Sequence, residues 1–496
     1  MRLIASEWEY RAEGNNNIVF ANANSPYLLR LPKACNSGSE IPVTSCNEME
    51  FLENVVYGIL DKYSLHFRAR KVRVTRQFLE ELSLQLRSVT RPKSHCDHKL
   101  DETASYGMVM ANFCKSVLQV PDINASEGAY NPCVPQSCAP VISIELRPKS
   151  CYIPSFLQQP CSFVQGKCFF CLTKIYQRLY QPSKPHTEYC PFDLYSSDKK
   201  RMKRALLDFI AGPQRYFSVR INDEVVQFTQ FRNESARCGK PVENLDILSA
   251  VLNQAYDKGS ACRRELESFL SVVCNILQAP IGARVSSSAS AICQPHCRRE
   301  PQRVSLPGET GHTSSSTNVL QLLSDIQSMR DVPINVIKET DEKLQQHLVE
   351  HPEDSAIASL DAPYDAELWK TSMCQARHSS CCKAAAEDKS VFLREQAQTE
   401  TEVFELASRL RRFIVARIFS CCSLILSFQR LQREQADNFQ RTSLSRSLKS
   451  FIVSDEFDNK YIAAIAILDL YKDPPHQISK YCQRDLKILS NLNRCF

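Results

Sequence analysis

The chain has 496 residues, with 61 Lys+Arg against 55 Asp+Glu, a formal charge of +6, and 43% hydrophobic residues, enough to bury a real core and to exclude wholesale disorder. Twelve glycines, about 2.4% against the usual ~7%, exclude collagen-like and Gly-rich architectures. So small a positive surplus also excludes a histone-like binder of nucleic acid, so any anionic ligand must meet a local cluster of cations.

Glu7 and Glu9 stand where a secretory leader needs its apolar core, so the chain is expected in the cytoplasm and/or nucleus, with its 23 cysteines expected as free thiols. Trp8 to Arg11, a turn Glu13-Gly14-Asn15-Asn16-Asn17, Ile18 to Asn22 and Tyr27 to Leu31 alternate as the hairpins of a first sheet. A helical pattern from Glu48 to Tyr63, a strand Lys71 to Val74, an amphipathic helix Arg76 to Arg87 and a strand Met108 to Met110 follow. A stretch rich in Pro, Asn and Ser separates them from the strand Val141 to Leu146, which Pro148 closes because proline cannot donate to a ladder. Helices are expected at Lys167 to Tyr180 and Lys199 to Ala211, and Ser, Pro, Gly and Thr then mark Ile281 to Asn318 as a linker or insertion. Helical periods resume at Val319 to Arg330, Asn335 to Glu350 and Thr399 to Phe413. The longest apolar run, Phe413 to Phe428, includes Arg417, is too short to span a bilayer and reads as a buried strand; Ser423 to Phe428 and Ala463 to Leu468 are the two late strands. No repeat period emerges.

The Glu-Gly-Asn-Asn-Asn turn offers consecutive backbone N–H groups, the requirement for covering phosphates, although an ordinary Asn/Gly turn reads the same way. Arg30 and Lys33 add positive charge on the next strand. Alternation puts Glu145, Arg147 and Lys149 on one face, a carboxylate with two cations that suits ATP phosphates or a polyanion, and Asp469 ends an apolar strand where it can hold Mg²⁺. Surface ion pairs or helix caps are the plain alternatives. Together these features suggest phosphoryl transfer. Cys168-x2-Cys171 with His186-x3-Cys190 has a spacing open to structural zinc, and Cys374, His378, Cys381 and Cys382 form a second cluster; packing is the plainer reading of both, so zinc is not expected. No Walker loop, hydrolase elbow or basic-aromatic stripe supports a P-loop enzyme, a hydrolase or a nucleic-acid module.

The chain resembles the inositol-pentakisphosphate 2-kinase family from Trp8-Glu9-Tyr10-Arg11-Ala12-Glu13-Gly14-Asn15 through Arg91-Pro92, Arg147-Pro148-Lys149 and Tyr189-Cys190-Pro191-Phe192-Asp193-Leu194-Tyr195-Ser196 to Asp361-Ala362-Pro363-Tyr364-Asp365, Cys422 to Phe428 and Leu468-Asp469-Leu470. The resemblance implies an α+β, two-lobed, protein-kinase-like fold: a smaller N-lobe over 1–118, a linker over 119–140, and a larger C-lobe over 141–496 with a flexible insertion at about 281–318. It implies ATP- and Mg²⁺-dependent phosphorylation of inositol 1,3,4,5,6-pentakisphosphate at the 2-hydroxyl; separately, a monomer without a membrane span is expected, the lack of a span from the short apolar run. Gly14, Asn15, Asn16 and Asn17 would cover the nucleotide phosphates, Arg30 would reach the nucleotide, Asn112 would end the hinge beside adenine and Glu145 would sit in the ATP pocket. Arg147 and Lys149 would bridge the γ-phosphate and the inositol phosphates, Arg91 and Tyr481 would hold substrate, and Asp469 would bind Mg²⁺.

Departures fall mainly on the substrate side. Arg147 replaces the family's first motif lysine, and Cys421 stands where the family has an aspartate that would orient or deprotonate the attacking hydroxyl. Phe169, Thr173 and Gln177 replace an arginine, a histidine and a lysine, Arg215, Tyr216 and Ser218 replace further polar residues, and Asp473 and Gln477 align with a lysine and an arginine. Lys174, Arg178, Lys199, Lys200, Lys203 and Arg204 are nearby cations able to rebuild some of the lost field, although a solvated helix face is the plainer reading of each. These departures motivate an alternative, a catalytically impaired relative that binds nucleotide or inositol phosphate as a sensor or scaffold.

Overall fold

The computed structural model of the chain describes residues 3–14, 17–34, 45–63, 65, 69–91, 99–115, 139–152, 166–182, 187–212, 216–228, 242–256, 264–281, 317–330, 332–375, 391–432, 436, 450–470 and 477–495. They form helices and two antiparallel sheets, an α+β architecture.

The first sheet contains β1 (Trp8–Glu13), β2 (Asn17–Asn22), β3 (Tyr27–Pro32), β4 (Arg70–Arg73) and β5 (Tyr106–Ala111), in the order β1-β2-β3-β5-β4. Alternation in β2 buries Ile18 and Phe20, which join Leu29 and Leu31 of β3 against Phe78, Leu79 and Leu82 of the Arg76–Leu86 helix. Thr75 caps that helix by accepting from Phe78 N at 3.2 Å. The helix expected from Glu48 onward starts earlier, as Ser45–Phe51, and passes through a π turn at Leu52–Val56 into Tyr57–Leu60.

The second sheet contains β6 (Val141–Leu146), β7 (Phe217–Ile221), β8 (Glu224–Val225), β9 (Ser423–Arg430), β10 (Ser450–Ser454) and β11 (Lys460–Leu468), in the order β10-β11-β9-β6-β7-β8. Its central strands are buried on both faces. Ile144, Leu146, Leu424, Leu426, Ile465 and Ile467 face the large helical core, while Ile425 and Ala466 on the other face meet Ala111 and Phe113 at the end of β5. A polar bridge adds to that contact: the Arg11 guanidinium of β1 pairs with Asp223 in the β7–β8 turn, and Asn112 Nδ2 donates to Asp223 Oδ2 at 3.2 Å.

The run Phe413 to Phe428 is not one strand. Val391–Cys421 is a helix, and β9 begins at Ser423. Phe413, Ile414, Val415, Ala416, Ile418 and Phe419 are all buried, so these turns of the helix lack the exposed polar face that would have shown their period. Most of the expected linker, 119–138, and most of the expected insertion, 282–316, lie outside the described residues. The ends of that insertion meet, with Ile281 N donating to Thr317 O at 2.8 Å. Among the described residues no helix is long and apolar enough to cross a membrane.

Candidate active site

The register pairs Leu146 with Leu424 and Leu468 with Ser423, so the ends of β6, β9 and β11 converge. Arg147 Nη2 lies 3.4 Å from Asp469 Oδ2 and 3.9 Å from Glu145 Oε1. Arg147 Nε donates to Ser423 Oγ at 3.1 Å, and Ser423 Oγ donates to Asp469 Oδ2 at 2.7 Å. Ser423 is fully buried and was not evident in the sequence; its place opposite the last residue of the Asp469 strand was the available signal. Burial and then the Asp469 charge push the Glu145 carboxyl above its ordinary range, with Arg147 acting the other way.

Lys149 does not continue the alternation. The strand ends at Leu146 and Lys149 takes a left-handed backbone, φ 62°, as does Asp469 at φ 60°. Lys149 Nζ stands 4.2 Å from the centre of the Tyr216 ring, and burial above all pushes its pKa down to about 8. The turn is held from behind: Tyr189 Oη donates to Pro148 O, and Tyr195 Oη donates to Lys149 O at 3.1 Å. These two tyrosines open and close the Tyr-Cys-Pro-Phe-Asp-Leu-Tyr block, which gives that motif a physical role.

In the first sheet, Gly14 N donates to Asn17 O at 2.9 Å where β1 and β2 meet, and a Cβ at Gly14 would meet nothing within 4 Å among the described residues. Asn15 and Asn16 lie outside the described residues. Arg30 Nη2 is 3.3 Å from Glu48 Oε2, and the Asn17 amide, oriented to satisfy both groups, accepts from Arg30 Nε at 3.2 Å. Glu48 was not singled out from the sequence, although it lies on the buried side of its helix; burial pushes its carboxyl up and Arg30 counters this. Arg91, expected on a substrate phosphate, is engaged with Glu13, donating through Nε at 2.9 Å and Nη2 at 2.6 Å, while Lys33 Nζ sits 2.6 Å from the same carboxylate. Burial raises the Glu13 pKa, but the Arg91 and Lys33 hydrogen bonds outweigh it and hold the group below its ordinary value. Asn112 is buried, with its amide committed to Asp223 and to the Cys114 N–H at 3.1 Å.

Beside Lys149 opens a cleft of about 500 Å³. Phe169, Thr173 and Gln177 form one wall and Cys421 another, and the described lining carries Lys149, Arg330, Arg417, Arg484 and Lys487 without a carboxylate. Tyr481 lies beneath Arg417, whose Cζ is 4.5 Å from the ring centre. The cations able to rebuild the field do not line this cleft. Lys174 Nζ donates to Tyr189 O at 2.7 Å, Arg178 pairs with Glu188, Lys203 bridges Glu267 and Glu456 at 3.2 and 3.0 Å, and Arg204 reaches Asp193 at 3.0 Å; Lys199 and Lys200 are exposed on the same helix as Lys203. Arg215 and Asp473 lie outside the described residues, as does the Gln477 side chain.

Cys168, Cys171 and Cys190 bring their sulfurs within 4.8 Å of one another, with Cys171 Sγ and Cys190 Sγ 3.6 Å apart. Hydrogen bonds from the Cys168 and Cys171 thiols hold Cys190 well below the ordinary thiol range. His186, the expected fourth ligand, lies outside the described residues, as do His378, Cys381, Cys382 and the Cys374 side chain of the second cluster.

A carboxylate, a guanidinium and a hydroxyl thus meet at strand ends beside an arginine-rich cleft, an arrangement that can position and neutralise phosphates. The sequence model of the family described as Inositol-pentakisphosphate 2-kinase matches residues 10–487. An Inositol-pentakisphosphate 2-kinase of Danio rerio is 22% identical over 379 residues, covering 74% of this chain and 75% of the relative. With nearly its whole length matched, from the β1 strand to the helix that carries Arg484 and Lys487, the chain belongs to the inositol-pentakisphosphate 2-kinase family.

Proposed function

We propose that the chain transfers the γ-phosphate of ATP to the 2-hydroxyl of inositol 1,3,4,5,6-pentakisphosphate, giving inositol hexakisphosphate. The observation that carries this reading is the Glu145–Arg147–Ser423–Asp469 cluster opening beside a cleft lined by five cations and no acidic residue among those described. On this reading the two sheets are the cores of two kinase-like lobes, residues 1–118 and 141–496, with nucleotide between them and the inositol ring in the cleft.

Both Ser423 and Arg147 engage Asp469 Oδ2, which leaves the other carboxylate oxygen clear of them for a cation. Mg²⁺ is commonly held by one or two carboxylates plus substrate phosphates, so these residues fit it; when bound, it would neutralise phosphate charge. Arg30, fixed by Glu48, and the Gly14 turn would hold the nucleotide, and Glu145 would sit in the same pocket. Arg147 and Lys149 would lie between the γ-phosphate and the acceptor and stabilise the charge spread over the transferring group. Cys421 stands at the cleft wall in place of the family aspartate, so on this reading the cleft would align the hydroxyl without a carboxylate at that position.

The test is transfer of labelled γ-phosphate to the pentakisphosphate, with products resolved by anion exchange. Inositol hexakisphosphate is the expected product, and its absence from a folded, ATP-binding protein would sink the reading. Cys421→Asp is expected to raise turnover by supplying a base. The thiol trio also fits a structural zinc ion, because three thiolates around tetrahedral zinc stand about 3.8 Å apart at the usual Zn–S length. Metal analysis should find zinc in the wild type and lose it in Cys171→Ser; metal-free wild-type protein would remove the ion from the account.

A further inference from the structure

We propose that this chain reads the phosphates of its inositol ligand through Arg330, Arg417, Arg484 and Lys487, a set that replaces the cations missing from the Phe169–Tyr180 helix. The identity of the ligand rests on the function proposed above; the residue set rests on geometry. Phe169 and Gln177 give that helix wall no charge, and the Thr173 hydroxyl donates to Phe169 O at 2.9 Å. Charge enters from elsewhere: Arg330 just past the Val319–Ser328 helix, Arg417 from the long Val391–Cys421 helix, and Arg484 and Lys487 from the Gln477–Cys495 helix.

Arg330 carries the argument. It is only 9% exposed and lines the cleft, yet among the described residues its guanidinium has no carboxylate or carbonyl partner within bonding distance, and the Tyr152 ring centre stands 5.7 Å away. Burial and then the Arg417 charge disfavour its protonated form, with Asp485 acting the other way. A buried guanidinium without an anion is an unfavourable arrangement that an anionic ligand in the cleft relieves.

The nearest acid is already shared. Asp485 is buried, 3.8 Å from Arg417 Nη1 and 3.1 Å from Arg484 Nη2, which leaves Arg330, Lys487 and Lys149 without a carboxylate among the described residues. Tyr481 supports the face of Arg417 and so aims its fork. Five cations against one carboxylate call for a ligand with several negative charges, and planar guanidinium forks suit phosphate oxygens.

Calorimetry with inositol hexakisphosphate, which has no hydroxyl left to accept phosphate, reads the site directly on the full-length chain. Arg417→Gln, Arg484→Gln and Lys487→Gln are each expected to weaken binding at least tenfold and to raise KM for the pentakisphosphate while leaving KM for ATP unchanged. Lys200→Gln, exposed and outside the cleft, should change neither. Because Arg330 is buried, Arg330→Gln is read by melting: the wild type should gain stability with hexakisphosphate, and the variant should lose that gain. Unchanged binding in the Arg417 and Lys487 variants would overturn the proposal, as would a wild type that binds no hexakisphosphate. If transfer proceeds with the same KM in all variants, the kinase reading stands and this one falls. Binding that the variants abolish, in a chain that transfers nothing, would keep this proposal and remove the kinase reading.

Discussion

Asp469 and Lys149 face one another's territory from two strand ends, and each takes a left-handed backbone that costs a non-glycine residue about 1–3 kcal/mol. Asn tolerates that conformation, so Asp469→Asn removes the charge without adding strain. It should lower kcat by about 100-fold or more with little change in melting temperature, and wild-type turnover would remove Asp469 from the metal site. Lys149 gives a pH signature. With its pKa at about 8, it loses its charge as pH rises through that value, so kcat/KM, which reports the free enzyme, should fall above about pH 8. The fold should not weaken over the same range. The unfolded lysine, near its ordinary 10.5, binds more protons than the folded one between these two values, so stability from this group rises with pH there. Lys149→Arg should flatten the alkaline limb of the rate profile, and a retained limb would assign it to another group.

Among the elements, the Tyr189 to Tyr195 segment acts as a brace for the turn that carries Lys149. Tyr189 is completely buried, and its hydroxyl reaches the Pro148 carbonyl. Tyr189→Phe leaves that acceptor without its donor and should cost about 1–3 kcal/mol, read from the denaturant midpoint, with a fall in kcat as Lys149 loosens. An unchanged midpoint would show that the hydroxyl does not stabilise the turn. Elements with a clear period were legible from the chain: Val141 to Leu146 and Lys199 to Ala211 have the expected bounds, because apolar spacing and a closing proline or capping aspartate mark them. Elements without a period were not. The Phe413 to Phe419 turns are buried nearly all round, whereas the Arg264–Gln278 and Gln477–Cys495 helices, which were not picked out, do carry a strong apolar period that a closer count of their spacing finds. The candidate site divides in the same way. Glu145, Arg147 and Asp469 sit at strand ends that sequence can mark, whereas Arg330, Arg417, Arg484 and Lys487 come together only when three helices pack around one cleft.

At the scale of the molecule, Ala111 and Phe113 meet Ile425 and Ala466 beside the Arg11–Asp223–Asn112 bridge, while Met108 of β5 joins the large core and Phe51 packs against Tyr364 and Trp369. Asp223→Asn removes the anion that both partners share and, because Asp223 has a left-handed backbone at φ 74°, does so without the strain an alanine would add. Amide exchange in β1 and β2 should quicken in this variant while β9 and β11 keep their protection, since the large core does not depend on the bridge. Equal exchange in both proteins would show that the apolar contacts hold the first sheet in place without the bridge.

The Val391–Cys421 helix passes into β9 through Cys422 alone, and this junction restricts how the chain can vary in length here. One residue inserted after Arg417 would turn that side chain by about 100° about the helix relative to the strand, and one inserted within β9 would exchange its two faces. The spacing from Arg417 to Ser423 is therefore fixed to the residue. An insertion between 417 and 428 in this chain should turn Arg417 away from the cleft or break the β9 pairing.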